Sequence, residues 1–374
     1  MPRHYLDHAS TSPLRPAARD ALVAALDAGW GDPSRIHEEG MAARHALEVA
    51  REQVAAFLGC RSSREVVFTS GATEAIASAA WGAAARGTQQ VVTAVEHSAV
   101  RLAAKADSAD VVVVAVDGAG RVAAQDVVDA VSDATACVHV QWGNHEVGTV
   151  QPVAEVVAAC RERGVLVHVD AAQAAGHVPI DFASLDADLL SVSAHKLGGP
   201  AGIGALLVRR GLRLRPLLVG GDQERARRAG FEGVGAAVGF AAAVTSIDVP
   251  AEATEQRRLA DRIREAAASW EGVHAYGDPV HRLPHLVCLG FDGVEPQGVL
   301  LGLDRAGIAA HSGSACSSES LEPSPVLEAM GVDAHRSLRA SVGWSSTDAD
   351  VDAFTTAVPE ILASLRALGT SSRQ

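Results

Sequence analysis

The 374-residue sequence lacks most of the signals that would tie it to a metal, a dinucleotide or a bilayer. It has no HExxH, no CxxC and no GxGxxG, which removes the commonest zinc and dinucleotide motifs, and no metal site is expected. It has five cysteines, an odd number without paired spacing, and no apolar secretory run precedes Tyr5. Both absences point to a reducing cytoplasm rather than a disulfide framework. The most apolar helical stretch, residues 234–247, is too short and too rich in alanine to span a bilayer, so no membrane is expected. Basic charge is also scarce: 32 Lys and Arg against 45 Asp and Glu leave a net −13, which argues against a general affinity for nucleic acid or anionic lipid. The one tight basic cluster, Arg225, Arg227 and Arg228, reads as a local anion or subunit contact.

What is present is apolar patterning, 48% of the chain, in Val-rich runs that alternate with Ala-rich helical stretches. That pattern predicts an α/β protein with one large and one smaller domain. Two runs, residues 165–169 and 189–192, have the form of buried parallel strands, and each ends in polar groups instead of a turn. Because open α/β sheets bind ligands beyond the carboxyl ends of their strands, Asp170, Gln173, Ser193, His195 and Lys196 are expected to meet in one crevice. A partly desolvated lysine suits Schiff-base chemistry, and an aspartate on the next strand suits the ring nitrogen of a pyridoxal group. The same two residues also fit a solvated strand-end lysine and a helix-capping aspartate.

Other segments add to that crevice. Residues 66–74 read as a strand, a glycine turn and a helix opening at Thr73, which is either a phosphate site or a simple N-cap. Residues 91–95 read as a strand from whose end a helix begins at Glu96, so that His97 either stacks on a cofactor and moves protons or caps the helix. Residues 136–142 form a further strand followed by the polar group 143–148, and a strand at 203–208 is expected to run antiparallel after the short turn 198–202. Residues 5–13 read as an irregular arm, and Pro250 as the boundary to a smaller α+β unit with strands near 285–290, 308–311 and 338–342. Cys60, Cys137, Cys160 and Cys288 lie in or beside apolar periodic segments and read as core residues. Cys316 instead lies among serines, glycine and alanine, where a thiol is exposed and able to react.

Taken together these stretches resemble the pyridoxal-phosphate-dependent cysteine desulfurases of the NifS/IscS type, within the class V aminotransferases. The similarity runs nearly end to end, from Tyr5-Leu-Asp-His-Ala-Ser-Thr-Ser-Pro13 through Ser70-Gly-Ala-Thr-Glu74 and Ser193-Ala-His-Lys196 to Ser312-Gly-Ser-Ala-Cys-Ser-Ser318 and Arg339-Ala-Ser-Val-Gly343. The resemblance implies fold type I of the pyridoxal-phosphate enzymes, with a mostly parallel seven-stranded sheet in a large domain (15–250) and a smaller α+β domain (1–14 with 251–374) carrying the cysteine loop. It implies that Lys196 bears the cofactor as a Schiff base and acts as the base. Asp170 would pair with the ring nitrogen, Gln173 would contact the phenolic oxygen, and His97 would stack on the ring. Ala72, Thr73, Ser193 and His195 would hold the phosphate. Asn144, His145 and Arg339 would contact cofactor or substrate, and Cys316 would take the sulfur of L-cysteine as a persulfide, releasing L-alanine. A homodimer and a protein sulfur acceptor complete the implied picture.

Three positions depart from the family pattern: His145 stands where a second asparagine is usual, Phe231 where a threonine reaches across the dimer to the phosphate, and Ala201 where a lysine follows the Gly-Pro turn. The last is expected to alter surface charge only. Two rival readings keep the fold: a C–S or selenocysteine lyase, which needs no protein thiol, and a degenerate partner-binding relative.

Overall fold

The computed structural model of this protein describes residues 3–28, 31–108, 110–312 and 323–371, so Cys316 lies outside the described residues. The chain begins with β1 (His4–Tyr5), which pairs in parallel with a much later strand, Ile308–Ala309. The arm expected to be irregular is thus anchored to the last third of the chain. The helices Pro16–Ala28 and Glu38–Phe57 follow.

Next come the strands of the main sheet: β2 (Val66–Thr69), β3 (Gln89–Thr93), β4 (Asp110–Val114), β5 (Thr135–Gln141), β6 (Leu166–Asp170), β7 (Leu189–Ser193) and β8 (Gly204–Val208). Their spatial order is β2-β8-β7-β6-β5-β3-β4. All neighbours are parallel except at β8, which is antiparallel to both β7 and β2. The short turn 198–202 dictates that exception, since a parallel return would need a crossover of a dozen residues or more. Strands β2, β3 and β5 to β8 are buried residue for residue, which is why they read as continuous apolar runs.

The remaining strands, β9 (Val273–Tyr276), β10 (Leu286–Phe291), β11 (Ile308–Ala309) and β12 (Ser337–Ser341), belong to a second layer system, in which β12-β10-β9 form an antiparallel sheet. The helices Val249–Ala267, Pro296–Arg305 and Asp348–Ser371 cover it. Its core, built from Leu259, Ile263, Leu289, Phe291, Leu338 and Phe354 among others, is a separate cluster from the one around the main sheet. Pro250, read as the boundary to the smaller unit, follows the helix Val234–Thr245 after a short connection. It lies in the first turn of the helix Val249–Ala267, where its missing N–H costs nothing, and Asp248 Oδ1 caps that helix by accepting from Ala251 N at 3.1 Å.

The basic cluster, read as a local anion or subunit contact, is engaged within the chain. Arg225 pairs with Glu48, Arg228 with Glu74, and Arg227 donates to Arg64 O, so all three arginines are used within the chain. The loop that carries them holds Glu224, Arg225 and Ala226 at φ of 47°, 59° and 58°, a left-handed conformation unfavourable for residues with a Cβ. It is fixed by a bidentate pair between Glu224 and Arg51, at 2.5 and 2.8 Å and both 2% exposed. Arg51→Met should therefore destabilise the fold by about 3–5 kcal/mol, because it strands the Glu224 carboxylate in the interior. Chemical denaturation checks this, and a loss below 1 kcal/mol would contradict it.

Candidate active site

The register of the main sheet sets polar residues side by side at the carboxyl ends of its strands. Gln141 at the end of β5 pairs with Asp170 at the end of β6, and Asp170 with Ser191 in β7. Beyond β7 the short 3₁₀ turn Ala194–Leu197 carries His195 and Lys196 out of the strand. It stops at Gly198, whose φ of 80° is left-handed and where a Cβ would meet Arg15 Cγ at 2.7 Å, so a residue with a side chain does not fit.

These ends line a cavity of about 440 Å³ together with Ala72, Thr73, His97, His145, Gln173 and Ser193. Of the residues expected at the site, Ala72, Thr73, His97, His145, Asp170, Gln173, Ser193, His195 and Lys196 therefore share one enclosed space. Ala201 lines it too, which corrects the expectation of a change in surface charge alone: a lysine there would add a cation at the cavity wall.

Each group's environment limits what it can do. Lys196 Nζ donates to Ala9 O at 2.5 Å and to Ser10 O at 2.9 Å. Burial, reinforced by the nearby Arg339 cation, pulls Lys196 down to about 8 from its ordinary 10.5. Burial raises Asp170, an effect opposed by the N–H of Ala172, which Oδ1 accepts at 3.0 Å, and by His97. His97 caps the helix Ser98–Asp107 through Nδ1, which accepts from Ala99 N at 3.1 Å, and the same ring lines the cavity. Capping through Nδ1 leaves its proton on Nε2, and burial keeps it neutral by lowering its affinity for a second. The helix begins at Ser98 rather than Glu96, because the Glu96 side chain turns inward. Its Oε1 accepts from Thr93 Oγ1 at 2.7 Å and from Gln141 N at 2.8 Å, and burial pushes it up to about 8.

His145 meets His97 edge to face, with ring centroids 4.9 Å apart. Its Nδ1 is buried with no partner among the described residues, and burial holds the ring far below the ordinary histidine range, so it offers one N–H. Asn144 is where the expectation fails. It is fully buried, its Nδ2 donates to Val95 O at 3.1 Å, and its Oδ1 accepts from the N–H groups of Glu146 and Val147 at 2.8 Å each. Its amide braces the turn that presents His145, and it does not contact the cavity.

Arg339 on β12 approaches from the second sheet and is 3% exposed. It donates to His145 O at 2.7 Å, Ser10 Oγ at 2.6 Å and Asp7 Oδ1 at 3.0 Å, which leaves Nε buried with no partner among the described residues. The segment that contains Cys316 leaves the described structure beside this arginine, where His311 and Arg339 exchange backbone hydrogen bonds. It re-enters near Ser324, whose hydroxyl donates to Glu146 Oε2 at 2.8 Å. Sequence reasoning missed the contribution of the arm: Asp7, Ala9 and Ser10 meet Lys196 and Arg339 across more than 180 residues, a separation at which no local pattern operates.

The cavity suits a phosphate-bearing ring. Gly71 offers no side-chain cap to the helix Ala72–Ala83, and Ala72 and Thr73, the first residues of that helix, line the cavity. Gln173 Oε1 is a buried acceptor with no partner among the described residues, and Nε2 of the same amide is held by Ala9 O at 3.2 Å.

Comparison with known proteins gives the same picture from another side. A family model described as aminotransferase class-V matches residues 4–354. A "Cysteine desulfurase IscS" from Methanosarcina thermophila is 38% identical, over 97% of this chain and 92% of that protein. A "Cysteine desulfurase" from Gluconacetobacter diazotrophicus is 42% identical, over 97% of this chain and 94% of that protein. A solved structure titled "NIFS-LIKE PROTEIN" superposes with a TM-score of 0.90 at 31% identity, covering 97% of this chain and all of that one.

Proposed function

Since the chain belongs to the class V aminotransferase family, we infer that it is a pyridoxal-phosphate-dependent cysteine desulfurase, a sulfurtransferase that converts L-cysteine to L-alanine and passes the sulfur on. The observation that carries this reading is the shared cavity: a chain related end to end to cysteine desulfurases has Lys196, Asp170, His97 and an uncapped helix start lining one space.

When bound, pyridoxal phosphate supplies an electron sink for the substrate's α-carbon. Lys196 is the covalent anchor and, once displaced, the base that takes the α-proton at Nζ. With a pKa of about 8 it carries free amine near neutrality. Asp170 would pair with the ring nitrogen, and His97, with its proton on Nε2, would stack on the ring. Thr73, Ser193, His195 and the amides at Ala72 and Thr73 hold the phosphate. Gln173 and His145 meet the ring substituents, with His145 supplying a single N–H where the family usually has an amide.

Arg339 binds the substrate carboxylate through its planar fork, and to do so it exchanges its contact with Asp7 for one with substrate. Arg339→Ala should raise KM for L-cysteine about 10–100-fold, and steady-state kinetics check this. An unchanged KM would remove Arg339 from the substrate site. Cys316, four residues beyond Ser312, is the sulfur-accepting nucleophile and supplies a protein acceptor.

Three wider readings go with this one. The division at residues 15–250 against 1–14 and 251–374 is supported by the two separate apolar cores. A homodimer is supported by Leu26, Ile36, Met41 and Phe231, large apolar side chains that are 57–88% exposed. Phe231 then takes part in an apolar contact instead of a phosphate hydrogen bond. A cytoplasmic location is supported by free Cys60, Cys137, Cys160 and Cys288, and no single helix among the described residues is long and apolar enough to cross a membrane.

Product identity is the test. Protein supplied with pyridoxal phosphate, L-cysteine and a thiol reductant should yield alanine, whereas pyruvate and ammonia would assign it to the C–S lyases. Lys105, on an exposed position, and Lys196 are the only lysines in the sequence. Borohydride reduction of the loaded protein should therefore fix the cofactor on the peptide containing Lys196.

A further inference from the structure

Behind the cavity wall, four side chains that none of these roles uses form one line through the sheet. Gln90, His139, His168 and Ser191 stand on β3, β5, β6 and β7, which are consecutive in the sheet order. The register sets His139 directly opposite His168, and Ser191 opposite Asp170. Because side chains alternate along a strand, His168 shares a face of β6 with Asp170 two residues on.

The contacts are continuous. Gln90 Oε1 lies 2.8 Å from His139 Nε2, His139 Nδ1 lies 3.0 Å from His168 Nδ1, and His168 Nε2 lies 3.2 Å from Ser191 Oγ. Ser191 Oγ in turn lies 3.2 Å from Asp170 Oδ1. All four residues are at most 1% exposed. Polar groups this deep are costly unless paired, so the direction of each hydrogen bond can be worked out by requiring partners for all.

Gln90 fixes one end. Its Nε2 donates to Ala80 O at 3.3 Å, so Oε1 is the acceptor facing His139, and His139 carries its proton on Nε2. His139 Nδ1 is then a bare acceptor, and His168 must donate to it from Nδ1. That leaves His168 Nε2 as an acceptor, which only the Ser191 hydroxyl can satisfy. With its single proton given to His168, Ser191 presents lone pairs to Asp170 Oδ1. Two facing acceptors at 3.2 Å repel, and the line is complete only when Asp170 itself carries a proton on Oδ1 and donates it to Ser191.

We infer that Gln90, His139, His168 and Ser191 are positioning residues that hold Asp170 as a neutral acid in the free protein and allow it to hand that proton to the cofactor's ring nitrogen. For that transfer the carboxyl proton leaves Oδ1, which faces Ser191, for Oδ2, which has no hydrogen bond among the described residues; the Oδ2–H bond then breaks and an N–H bond would form at the ring, with no other atom exchanged. Ser191 then turns its hydroxyl from His168 onto Oδ1, so that the carboxylate left behind keeps two donors, Ser191 and the N–H of Ala172, while His168 Nε2 gives up its donor, a cost that the ion pair with the ring offsets. The relay thus makes the resting pocket uncharged at this point and the loaded pocket ion-paired. His97, Lys196 and Glu96 are the other titratable groups whose charge bears on this carboxyl. The inference rests on the cofactor reading above, but its primary test does not need the cofactor.

The full-length protein, labelled with ¹⁵N at histidine and free of cofactor, is examined by NMR. The two rings are assigned with His139→Gln and His168→Gln. The proton of His139 should be on Nε2 and that of His168 on Nδ1. An infrared spectrum of the same protein should contain a protonated-carboxyl band that is missing in Asp170→Asn, with the band of Glu96 remaining in both. In His168→Phe, Ser191 is released to donate to Asp170, and most of the Asp170 band should disappear at neutral pH. A proton on His168 Nε2, or a carboxyl region identical in wild type and Asp170→Asn, would overturn the proposal. The infrared comparison of wild type with Asp170→Asn decides the matter even where His168→Phe fails to fold. Failure of the cofactor reading would appear separately, as no visible band on adding pyridoxal phosphate to a protein whose tautomers are as expected.

Discussion

Lys196→Ala should abolish the covalent attachment of pyridoxal phosphate and lower kcat/KM for L-cysteine by about 10⁴-fold, the upper end of what one proton-transferring group supplies. The size follows from the proposed double role of Lys196, as anchor and as base. The structure adds a dependence on pH. The anchoring reaction needs the free amine, and burial together with Arg339 brings Lys196 to about 8 instead of 10.5. A lysine so shifted carries roughly 300 times more free amine at pH 7 than an ordinary one. The rate of cofactor attachment should accordingly rise with pH and level off a little above 8. Stopped-flow measurement of the visible band checks this. A rate still rising steeply above pH 10 would mean that the Lys196 environment is ordinary and that the carbonyls of Ala9 and Ser10 do not hold it in the pocket as described.

The second large effect is expected at a residue that the structure reaches only through its flanks. Cys316→Ala should still bind L-cysteine and still perturb the visible spectrum, because Lys196, Asp170 and Arg339 are untouched. Sustained alanine formation should nevertheless fall on the order of 10³-fold or more, as for other enzymes deprived of their nucleophile. The split between retained binding and lost turnover is the informative outcome. Undiminished turnover would favour a lyase, in which the sulfur leaves without a protein thiol. The reading of the thiol gains from contrast with the other cysteines. Burial pushes Cys60 up to about 12 and Cys160 to about 11, far from a thiolate at neutral pH.

How much of this was legible in the residues depended on whether a feature is local. The buried strands were, because six of the seven in the main sheet lie entirely inside and are mostly apolar, with few polar interruptions before their polar ends. The antiparallel turn into β8 was legible from the shortness of 198–202. The half-exposed strand β9 was not, since Val273–Tyr276 has neither a continuous apolar run nor a clean alternation. At the site, His97 admitted two readings, a helix cap and a cofactor neighbour; Nδ1 makes the cap, and the same residue lines the cavity.

Asn144 and His145 were read as a pair facing a ligand. A tight turn cannot present both, and the asparagine's amide is used up by backbone groups. The arm that supplies Asp7, Ala9 and Ser10 and the relay through His139 and His168 were invisible for a common reason. Each depends on which strands are neighbours, a property of the assembled sheet. In the sequence His139 and His168 are two histidines in apolar runs, and only the parallel pairing of β5 with β6 brings them within 3.0 Å.

The central claim is that the sulfur of L-cysteine passes to Cys316 while the remainder leaves as alanine. It is tested most directly by a single turnover: protein loaded with pyridoxal phosphate receives less than one equivalent of L-cysteine without reductant, and the peptide containing Cys316 is weighed. The account predicts a gain of one sulfur atom on that peptide in step with the alanine released. Pyruvate in place of alanine, with the mass of the Cys316 peptide unchanged, would contradict it.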